Sequence, residues 1–148
     1  MHASIRAMSI DDYAAVYALW IGTPGVGLSE SDTRAGTGAF LQRNAGMSAV
    51  AVADGELVGA VLCGHDGRRG YLHHLAVSVA WRRRGVARRL LTWCFDALAA
   101  QGIPKCNILL FSGNDDGAQF WQHNGWSPRT DLELLQKSVS PSDPSPSR

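Results

Sequence analysis

The stretch MSAVAVADGELVGAVLCG, residues 47–64, constrains the fold most, because it predicts a β-hairpin. Two runs rich in valine, alanine and leucine flank Asp54 and Gly55, a two-residue turn that tolerates the positive φ angles of a tight hairpin. HDGRRG, residues 65–70, predicts the next turn, and YLHHLAV, residues 71–77, the third strand of the meander. A strand meander is therefore expected at the centre of the fold.

Helices are predicted on either side of this meander. In SIDDYAAVYALW, residues 9–20, apolar side chains recur at helical spacing, and Ser9 and Asp12 have the spacing of a capping box. A weaker helix is expected near residues 32–43, where two glycines lower the helical propensity. A third helix, ARRLLTWCFDALAAQ, is predicted to bury one stripe, formed by Ala87, Leu90, Leu91, Cys94 and Leu98.

The remaining elements complete an α/β (α+β) fold. SIRAM, residues 4–8, predicts a first strand, and NDDGAQFWQHNG, residues 114–125, a short helix. KCNILLF, residues 105–111, is apolar enough for a strand covered on both faces, and residues 126–137 are expected to add one or two strands. We expect a three-layer domain, with a mixed central sheet and helices on both faces.

The length of 148 residues is that of one domain. We expect the folded domain to span residues 1–137. The Ser/Pro-rich stretch SVSPSDPSPSR, residues 138–148, has no apolar face to bury and predicts a disordered tail.

Composition excludes several classes of function. A formal net charge of +1 is low for a dedicated nucleic-acid binder, so we expect no nucleic-acid partner. The three cysteines lack metal-ligand spacing, which argues against a metal site and favours buried free thiols. No hydrophobic leader and no run of about 18 apolar residues occurs, so a cytoplasmic protein without a membrane partner is expected.

Five arginines lie within residues 82–89, between the third meander strand and a helix. Gly85 allows a tight turn, and the small Ala87 allows close approach to a ligand. The first amides of a helix are unpaired and its dipole is positive there, so this segment is suited to bind a pyrophosphate. On the six residues RRRGVA alone, a solvated basic helix start is the favoured interpretation.

The surrounding pattern favours the anion site. The order LAV, RRRGVARRLL, NILLF, Asn114, AQFW and NGW resembles the GNAT superfamily of acetyltransferases over nearly the whole folded chain. The loop Arg82-Arg83-Arg84-Gly85-Val86-Ala87 is similar to the acetyl-CoA loop of that family. The resemblance is strongest to small single-domain bacterial members, such as the ribosomal-protein alanine acetyltransferases.

The resemblance implies where acetyl-CoA binds, as a co-substrate and without a metal. Amides from Arg84 to Ala87 would hold the pyrophosphate, and the main chain of Leu75 to Val77 would pair with the pantetheine and polarise the acetyl carbonyl. Arg82, Arg83, Arg88 and Arg89 are candidates for the 3′-phosphate. The implied cofactor-binding set is Leu75, Ala76, Val77, Arg82, Arg83, Arg84, Gly85, Val86, Ala87, Arg88, Asn114 and Trp121.

Acetyl transfer requires a base, because a lysine ammonium, with a pKa of about 10.4, is not nucleophilic. Strand alternation would place Tyr71, His73 and Leu75 on one face and His74 on the other. Arylalkylamine acetyltransferases, a related branch, have two histidines at the places of Tyr71 and His73. We therefore expect His73 to be the base or a proton relay and His74 to be structural. The equal alternative is that His73 only packs or hydrogen-bonds within the sheet.

Two positions depart from the family pattern. Many members have a tyrosine general acid where Trp121 stands, and indole does not titrate usefully. Tyr71 or water would then protonate the thiolate, or it leaves unassisted, and Trp121 would pack its helix against the sheet. The alanine acetyltransferases have a glutamate at the place of Leu109, so their substrate does not transfer to this chain.

The expected function is transfer of the acetyl group of acetyl-CoA to a primary amine, directly in a ternary complex. Acidic residues near the first two helices, Asp12, Glu30 and Asp32, would favour a cationic acceptor, although each is also typical of a solvated cap. An acyl-CoA sensor without turnover is the alternative, and nucleic-acid binding ranks last. A monomer or a homodimer is expected, with a sheet edge after residue 126 open for pairing.

Overall fold

The structure is a computed structural model, and it describes residues 2–140. The chain divides into two compact units, Met1–Leu109 and Leu110–Arg148, called here the first and the second unit. Among the described residues, no helix is both long and apolar enough to cross a bilayer.

Among residues 2–140, the first unit contains five strands and three α-helices, and the second unit contains one α-helix. The strands are β1 Ser4–Ala7, β2 Ala49–Ala53, β3 Glu56–His65, β4 Gly70–Val77 and β5 Cys106–Asn107. The helices of the first unit are α1 Tyr13–Ile21, α2 Arg34–Arg43 and α3 Val86–Ala100, and that of the second unit is α4 Asp115–His123. Single 3-10 turns span Ile10–Asp12, Glu30–Asp32 and Val79–Trp81.

The sheet follows chain order, β1-β2-β3-β4-β5. The first four strands are antiparallel neighbours, and β5 is parallel to β4. At the β2–β3 turn, Asp54 has φ 51° and Gly55 has φ 76°, both in the left-handed region. This turn confirms the predicted hairpin, because positive φ at both central positions is typical of a type I′ turn, a favoured two-residue hairpin turn.

Helices cover both faces of the sheet in the first unit, which confirms the three-layer prediction. On one face, Val16 and Trp20 of α1 form a buried cluster with Val50, Ala60 and Ala76 from three strands. On the other face lies α3, whose buried stripe is Val86, Leu90, Leu91, Cys94 and Leu98. Four of these five were predicted, and Val86 replaces Ala87 at the start of the stripe.

Glycine on β3 brings α3 close to the sheet. A β-carbon on Gly59 would lie 3.1 Å from the side chain of Val86 and 3.2 Å from that of Leu90. Because Gly59 has no side chain, the first turn of α3 packs directly against the strand. The start of α3 is thereby fixed relative to the end of β4, since Gly59 pairs with Val77.

The 3-10 turn before α1 is capped by the residues that the sequence predicts. The Asp12 carboxylate accepts a hydrogen bond of 2.9 Å from the Ser9 amide and a bidentate pair of 2.8 Å bonds from Arg6. The Arg6 hydrogen bond holds the pKa of the Asp12 carboxyl below its ordinary value. The capping prediction for Ser9 and Asp12 is confirmed.

Two strand predictions were wrong. Residues 105–111 form only the two-residue strand β5, and Leu109, Leu110 and Phe111 are exposed. Residues 126–137 contain no strand, and Leu132, Leu134 and Leu135 are exposed as well. Strand propensity is a local property, whereas a strand exists only where a partner edge accepts its hydrogen bonds. The predicted tail, residues 138–148, lies mostly outside the described residues, which end at Ser140.

The thiols are free, and Cys63 and Cys94 are buried, as predicted. The hydrogen bond with Cys63 and burial raise the pKa of Cys94. Cys106 is half-buried, and burial raises the pKa of its thiol to about 12. The thiol form therefore predominates at Cys94 and Cys106 near neutral pH.

Candidate functional site

The β3–β4 ladder contains a β-bulge. Ala60 pairs with Ala76 and Leu62 pairs with His73, so Val61 alone faces the two residues His74 and Leu75. His74 has φ 55°, the left-handed region that non-glycine residues rarely adopt. A bulge of this kind bends a strand and redirects its side chains, and bulges are over-represented next to active sites.

The bulge places both histidines on the same face of the sheet. The His73 ring lies 5.8 Å from the ring of Phe40 in α2, and the His74 ring lies 5.0 Å from the ring of Trp20 in α1. The two histidine rings are 6.3 Å apart. The prediction that His73 and His74 occupy opposite faces was wrong, because the extra residue interrupts the two-residue alternation on which it rested.

Tyr71 and His73 share a face, as predicted. Their rings are nearly parallel, with an angle of 7° and a centroid separation of 6.4 Å. Both side chains are half-buried, so they border solvent on the face that α1 and α2 cover. These two expected catalytic residues are therefore brought together.

The edge of β4 that faces β5 is paired over two positions only. Gly70 pairs with Cys106 and Tyr71 with Asn107, and no further pair between β4 and β5 occurs among the described residues. From Leu72 to Val77, the main chain on this side of β4 has no strand partner in the first unit. An unpaired edge of this kind is a template for an extended ligand.

Directly beyond this edge, α3 begins. Its N-cap is Gly85, with φ 80°, and no side chain caps the helix. The first amide with a helical partner in this turn is that of Arg89, which donates to the Gly85 carbonyl over 3.1 Å. The amides of Val86, Ala87 and Arg88 precede it, and the orphan amides of a first turn, together with the helix dipole, favour an anion.

The arginines of this segment have different partners. Arg82 Nε donates to the Val77 carbonyl over 3.1 Å, and the Arg84 guanidinium lies 4.8 Å from the Trp81 ring centre. Arg89 donates to the buried carbonyl of Ala3 over 2.5 Å. Arg83 and Arg88 are exposed. Arg89 thus links α3 to the chain before β1, and Arg82 closes the turn after β4.

A buried contact between His74 and Asp32 was missed by sequence reasoning. His74 Nε2 lies 2.9 Å from Asp32 Oδ1, and both side chains are about nine-tenths buried, with exposures of 10% and 8%. Asp32 belongs to the 3-10 turn before α2, and its carbonyl accepts a hydrogen bond of 2.5 Å from the Tyr13 hydroxyl. The spacing of Ser29 and Asp32 signals a cap, but no local pattern signals a partner 42 residues away.

Two of the acidic residues near the first two helices, Asp12 and Asp32, bind other side chains of the first unit. Asp12 binds Arg6 and caps the turn before α1, and Asp32 binds His74. Within residues 2–140, no group of three or more His, Cys, Asp or Glu side chains could hold a metal ion. Neither observation identifies an acceptor.

In the second unit, Asn114 and Trp121 both serve α4. The Asn114 side chain accepts a hydrogen bond of 3.0 Å from the Gly117 amide and so caps the helix. Trp121 is buried, with its ring 5.2 Å from that of Phe120 and 5.0 Å from that of Trp126. Its contacts within this unit are those of a packing residue.

Comparison with known proteins decides the family. The profile of the acetyltransferase (GNAT) family matches residues 13–126 of this chain. The chain belongs to the GNAT family of acetyltransferases. The family resemblance found in the sequence is thereby confirmed, and so is its prediction of an acetyltransferase.

Two curated relatives of this GNAT protein are bacterial acetyltransferases. One, from Pectobacterium atrosepticum, is 32% identical over 111 residues, which is 75% of this chain and 78% of the relative. The other, from Sodalis glossinidius, is 32% identical over 90 residues, 61% of this chain and 63% of the relative. The match therefore spans less than two thirds of the Sodalis protein.

Solved structures share the GNAT fold at low sequence identity. Ard1 from Thermoplasma volcanium has a TM-score of 0.74 at 19% identity, covering 84% of this chain and 82% of its own. The PaiA N-acetyltransferase from Thermoplasma acidophilum, in complex with coenzyme A, has a TM-score of 0.72 at 18% identity, covering 86% and 91%. These likenesses confirm the fold class.

Proposed function

We propose that this GNAT protein transfers the acetyl group of acetyl-CoA to a primary amine, directly in a ternary complex. The amine belongs to a small molecule or to a peptide or protein. The proposal rests on one observation: β4 has a bulge and an unpaired edge, and α3, the helix that follows it, starts without a side-chain cap. An acyl-pantetheine arm and a pyrophosphate need these two features side by side.

The cofactor is proposed to lie along β4 and the start of α3. The main chain of Leu75 to Val77 would pair with the pantetheine and donate a hydrogen bond to the acetyl carbonyl. Residues 84–87 would hold the pyrophosphate, because the orphan amides of the first helical turn lie there. Arg83 and Arg88 are the preferred candidates for the 3′-phosphate, since Arg82 and Arg89 already bind carbonyl groups.

Tyr71 and His73 are proposed to handle protons. His73 would take the proton of the ammonium, a task suited to an imidazole with an ordinary pKa of about 6.5. Tyr71 would protonate the leaving thiolate, because the tyrosine position of many relatives holds Trp121 here. The stacked arrangement of the Tyr71 and His73 rings supports a joint role at one end of β4.

Asn114 is proposed to help hold the pantetheine, although its side chain also caps α4. Trp121 is proposed to pack its helix and to border the cofactor. The burial of Trp121 between Phe120 and Trp126 favours a packing role for this side chain, and it is consistent with a second candidate function. That function is acyl-CoA sensing with little or no turnover.

Two measurements test these proposals. Calorimetry with acetyl-CoA is expected to give micromolar binding, and the absence of binding at millimolar ligand would contradict both functions. A thiol-release assay against a panel of small amines and N-terminal peptides then separates them. Turnover with any amine supports the enzyme, and binding without turnover across the panel supports the sensor.

A variant pair then tests His73. His73→Ala is expected to lower turnover on the amine found by about 10²–10⁴-fold, the usual contribution of a general base. The matched control is His65→Ala, at the far end of β3, and it should leave turnover within twofold of the wild type. Unchanged turnover in His73→Ala would remove His73 from the mechanism.

A further inference from the structure

The pair formed by Asp32 and His74 joins the segment between α1 and α2 to the bulge of β4. Besides its contact with His74, Asp32 accepts a hydrogen bond of 2.8 Å from the Ser29 amide through Oδ2. Each carboxylate oxygen therefore has its own partner. An ionised carboxylate only accepts hydrogen bonds, so opposite an ionised Asp32 the donor to Oδ1 is His74 Nε2.

His74 is also the strained residue of the strand. Its φ of 55° is the left-handed region, which is sterically strained for a residue with a β-carbon. A strained backbone persists only where its surroundings impose it. Here, two side-chain contacts do so, the hydrogen bond to Asp32 and the edge-to-face contact with the Trp20 ring.

We propose that Asp32 and His74 are positioning residues, which hold the bulge of β4 in the conformation that presents the main chain of Leu75–Val77 to the acetyl carbonyl. This inference rests on the proposed function, since it presumes that acetyl-CoA lies along β4. Neither side chain is assigned a contact with the reacting atoms. The pair acts through the backbone, by fixing the left-handed conformation of His74.

The geometry of the sheet gives the reason. If His74 reverted to an extended conformation, Val61 would no longer face two residues of β4. The part of β4 after His74 would then shift its pairing with β3 by one residue. The amide groups of Leu75–Val77 would then point away from their present direction. The start of α3, held by packing against Gly59, would keep its place.

The test uses two variants of one residue. His74→Ala removes the hydrogen bond and keeps the backbone penalty, so the bulge should relax. His74→Gly removes the same hydrogen bond, but glycine adopts positive φ freely, so the bulge should largely persist. A role in proton transfer would be lost in both variants, whereas a role in backbone conformation is restored by glycine.

The readout is the ratio of affinities for acetyl-CoA and CoA, measured by calorimetry, which needs no acceptor. In the wild type, one hydrogen bond to the acetyl carbonyl should favour acetyl-CoA by about 2- to 12-fold. We expect His74→Ala to lower this ratio to about 1 with CoA affinity unchanged within threefold, and His74→Gly to recover most of it. The amide resonances of Leu75 and Ala76 should shift in His74→Ala and less in His74→Gly.

Asp32→Asn gives a second and independent perturbation. An amide has one acceptor oxygen where the carboxylate has two, so with the present geometry and His74 tautomer it cannot accept from both His74 Nε2 and the Ser29 amide, and the ratio should fall. Asp12→Asn is the matched control, because it perturbs a different carboxylate that binds a side chain and caps a turn in the same unit. It should leave the ratio unchanged even where the melting temperature falls.

The outcomes separate the two proposals. Absence of CoA binding in the wild type overturns the proposed function and this inference with it. A wild type that binds CoA and acetyl-CoA equally overturns the role of the bulge alone. A preference for acetyl-CoA that survives in His74→Ala and Asp32→Asn, or one that is lost equally in the alanine and glycine variants of His74, overturns the positioning role while CoA binding stands.

Discussion

Gly64 lies on the face of β3 that packs against α2, where there is little space for a side chain. An added β-carbon would lie 2.6 Å from Asn44 Nδ2 and 2.8 Å from the Phe40 ring. Asn44 cannot move aside, because its Oδ1 accepts from the His65 amide and its Nδ2 donates to the Phe40 carbonyl. We expect Gly64→Ala to lower the free energy of unfolding by about 1–3 kcal/mol, as measured by urea denaturation.

The control for this substitution is Gly22→Ala. Gly22 has φ −83°, and an added β-carbon would meet only carbonyl oxygens at 3.7 and 3.9 Å, which is ordinary contact. It should change the free energy of unfolding by less than about 0.5 kcal/mol. Equal destabilisation by both variants would contradict the crowding described at Gly64.

The arginines of the loop make a second prediction at this scale. Arg89→Ala should destabilise the fold by about 1–3 kcal/mol, since it leaves the buried Ala3 carbonyl without its donor. It should not change the preference for CoA over 3′-dephospho-CoA. That preference should fall in Arg83→Ala or Arg88→Ala, as measured by calorimetry with both ligands.

The reverse pattern would contradict this division of the arginines. A preference lost in Arg89→Ala, but kept in the other two variants, would place the 3′-phosphate at the start of α3 on the β1 side. The sequence alone left these arginines unranked, because charge and spacing are alike among them. Only the folded structure shows which guanidinium groups already bind a carbonyl.

At the scale of the elements, the start of α3 carries the largest part of the proposed cofactor site. Gly85 adopts φ 80° with no atom near the position of a β-carbon, so Gly85→Ala adds backbone strain and no clash. We expect a loss of about 1–2 kcal/mol in stability. We also expect weaker CoA binding, because the first turn would shift to relieve the strain.

Gly102 supplies the matched control at the other end of the same helix. It has φ 73° and equally open surroundings, so Gly102→Ala should cost a similar stability. Calorimetry with CoA should show weaker binding in Gly85→Ala only. Equal affinities in the two variants would contradict the placement of the pyrophosphate at the start of α3.

Elements were predictable from sequence where local chemistry determines them. The positive φ angles at Asp54 and Gly55 follow from the turn type, and the stripe of α3 follows from helical periodicity. The short β5 and the absence of strands in residues 126–137 were not predictable, because both depend on pairing with distant edges. The bulge was missed for the same reason, since it is defined by a register between β3 and β4.

At the scale of the whole molecule, ligand binding should appear as added stability. A ligand that binds only the folded state stabilises it by about 2.7 kcal/mol at 100 times its dissociation constant. For a chain of this size, acetyl-CoA should raise the melting temperature by roughly 5–10 °C. Scanning calorimetry measures this shift.

Adenosine 3′,5′-bisphosphate is the control for that measurement. It lacks the pantetheine arm, so it should raise the melting temperature less than acetyl-CoA does at equal concentration. An equal rise would mean that the β4 edge contributes nothing to binding. The site assignments of Asn114 and Trp121 stay predictions, because their observed contacts lie within the second unit.

The extra residue in β4 has a consequence for how this chain is compared with its relatives. Upstream of His74, odd-numbered positions of β4 point toward α2, whereas downstream the even-numbered Ala76 points toward α1. The strand thus changes parity in its middle. A deletion of one residue there would restore a single parity while each half of the strand keeps its face. An alignment with a strand that lacks the bulge, made without a gap there, would therefore compare side chains from opposite sides of the sheet in one half of β4.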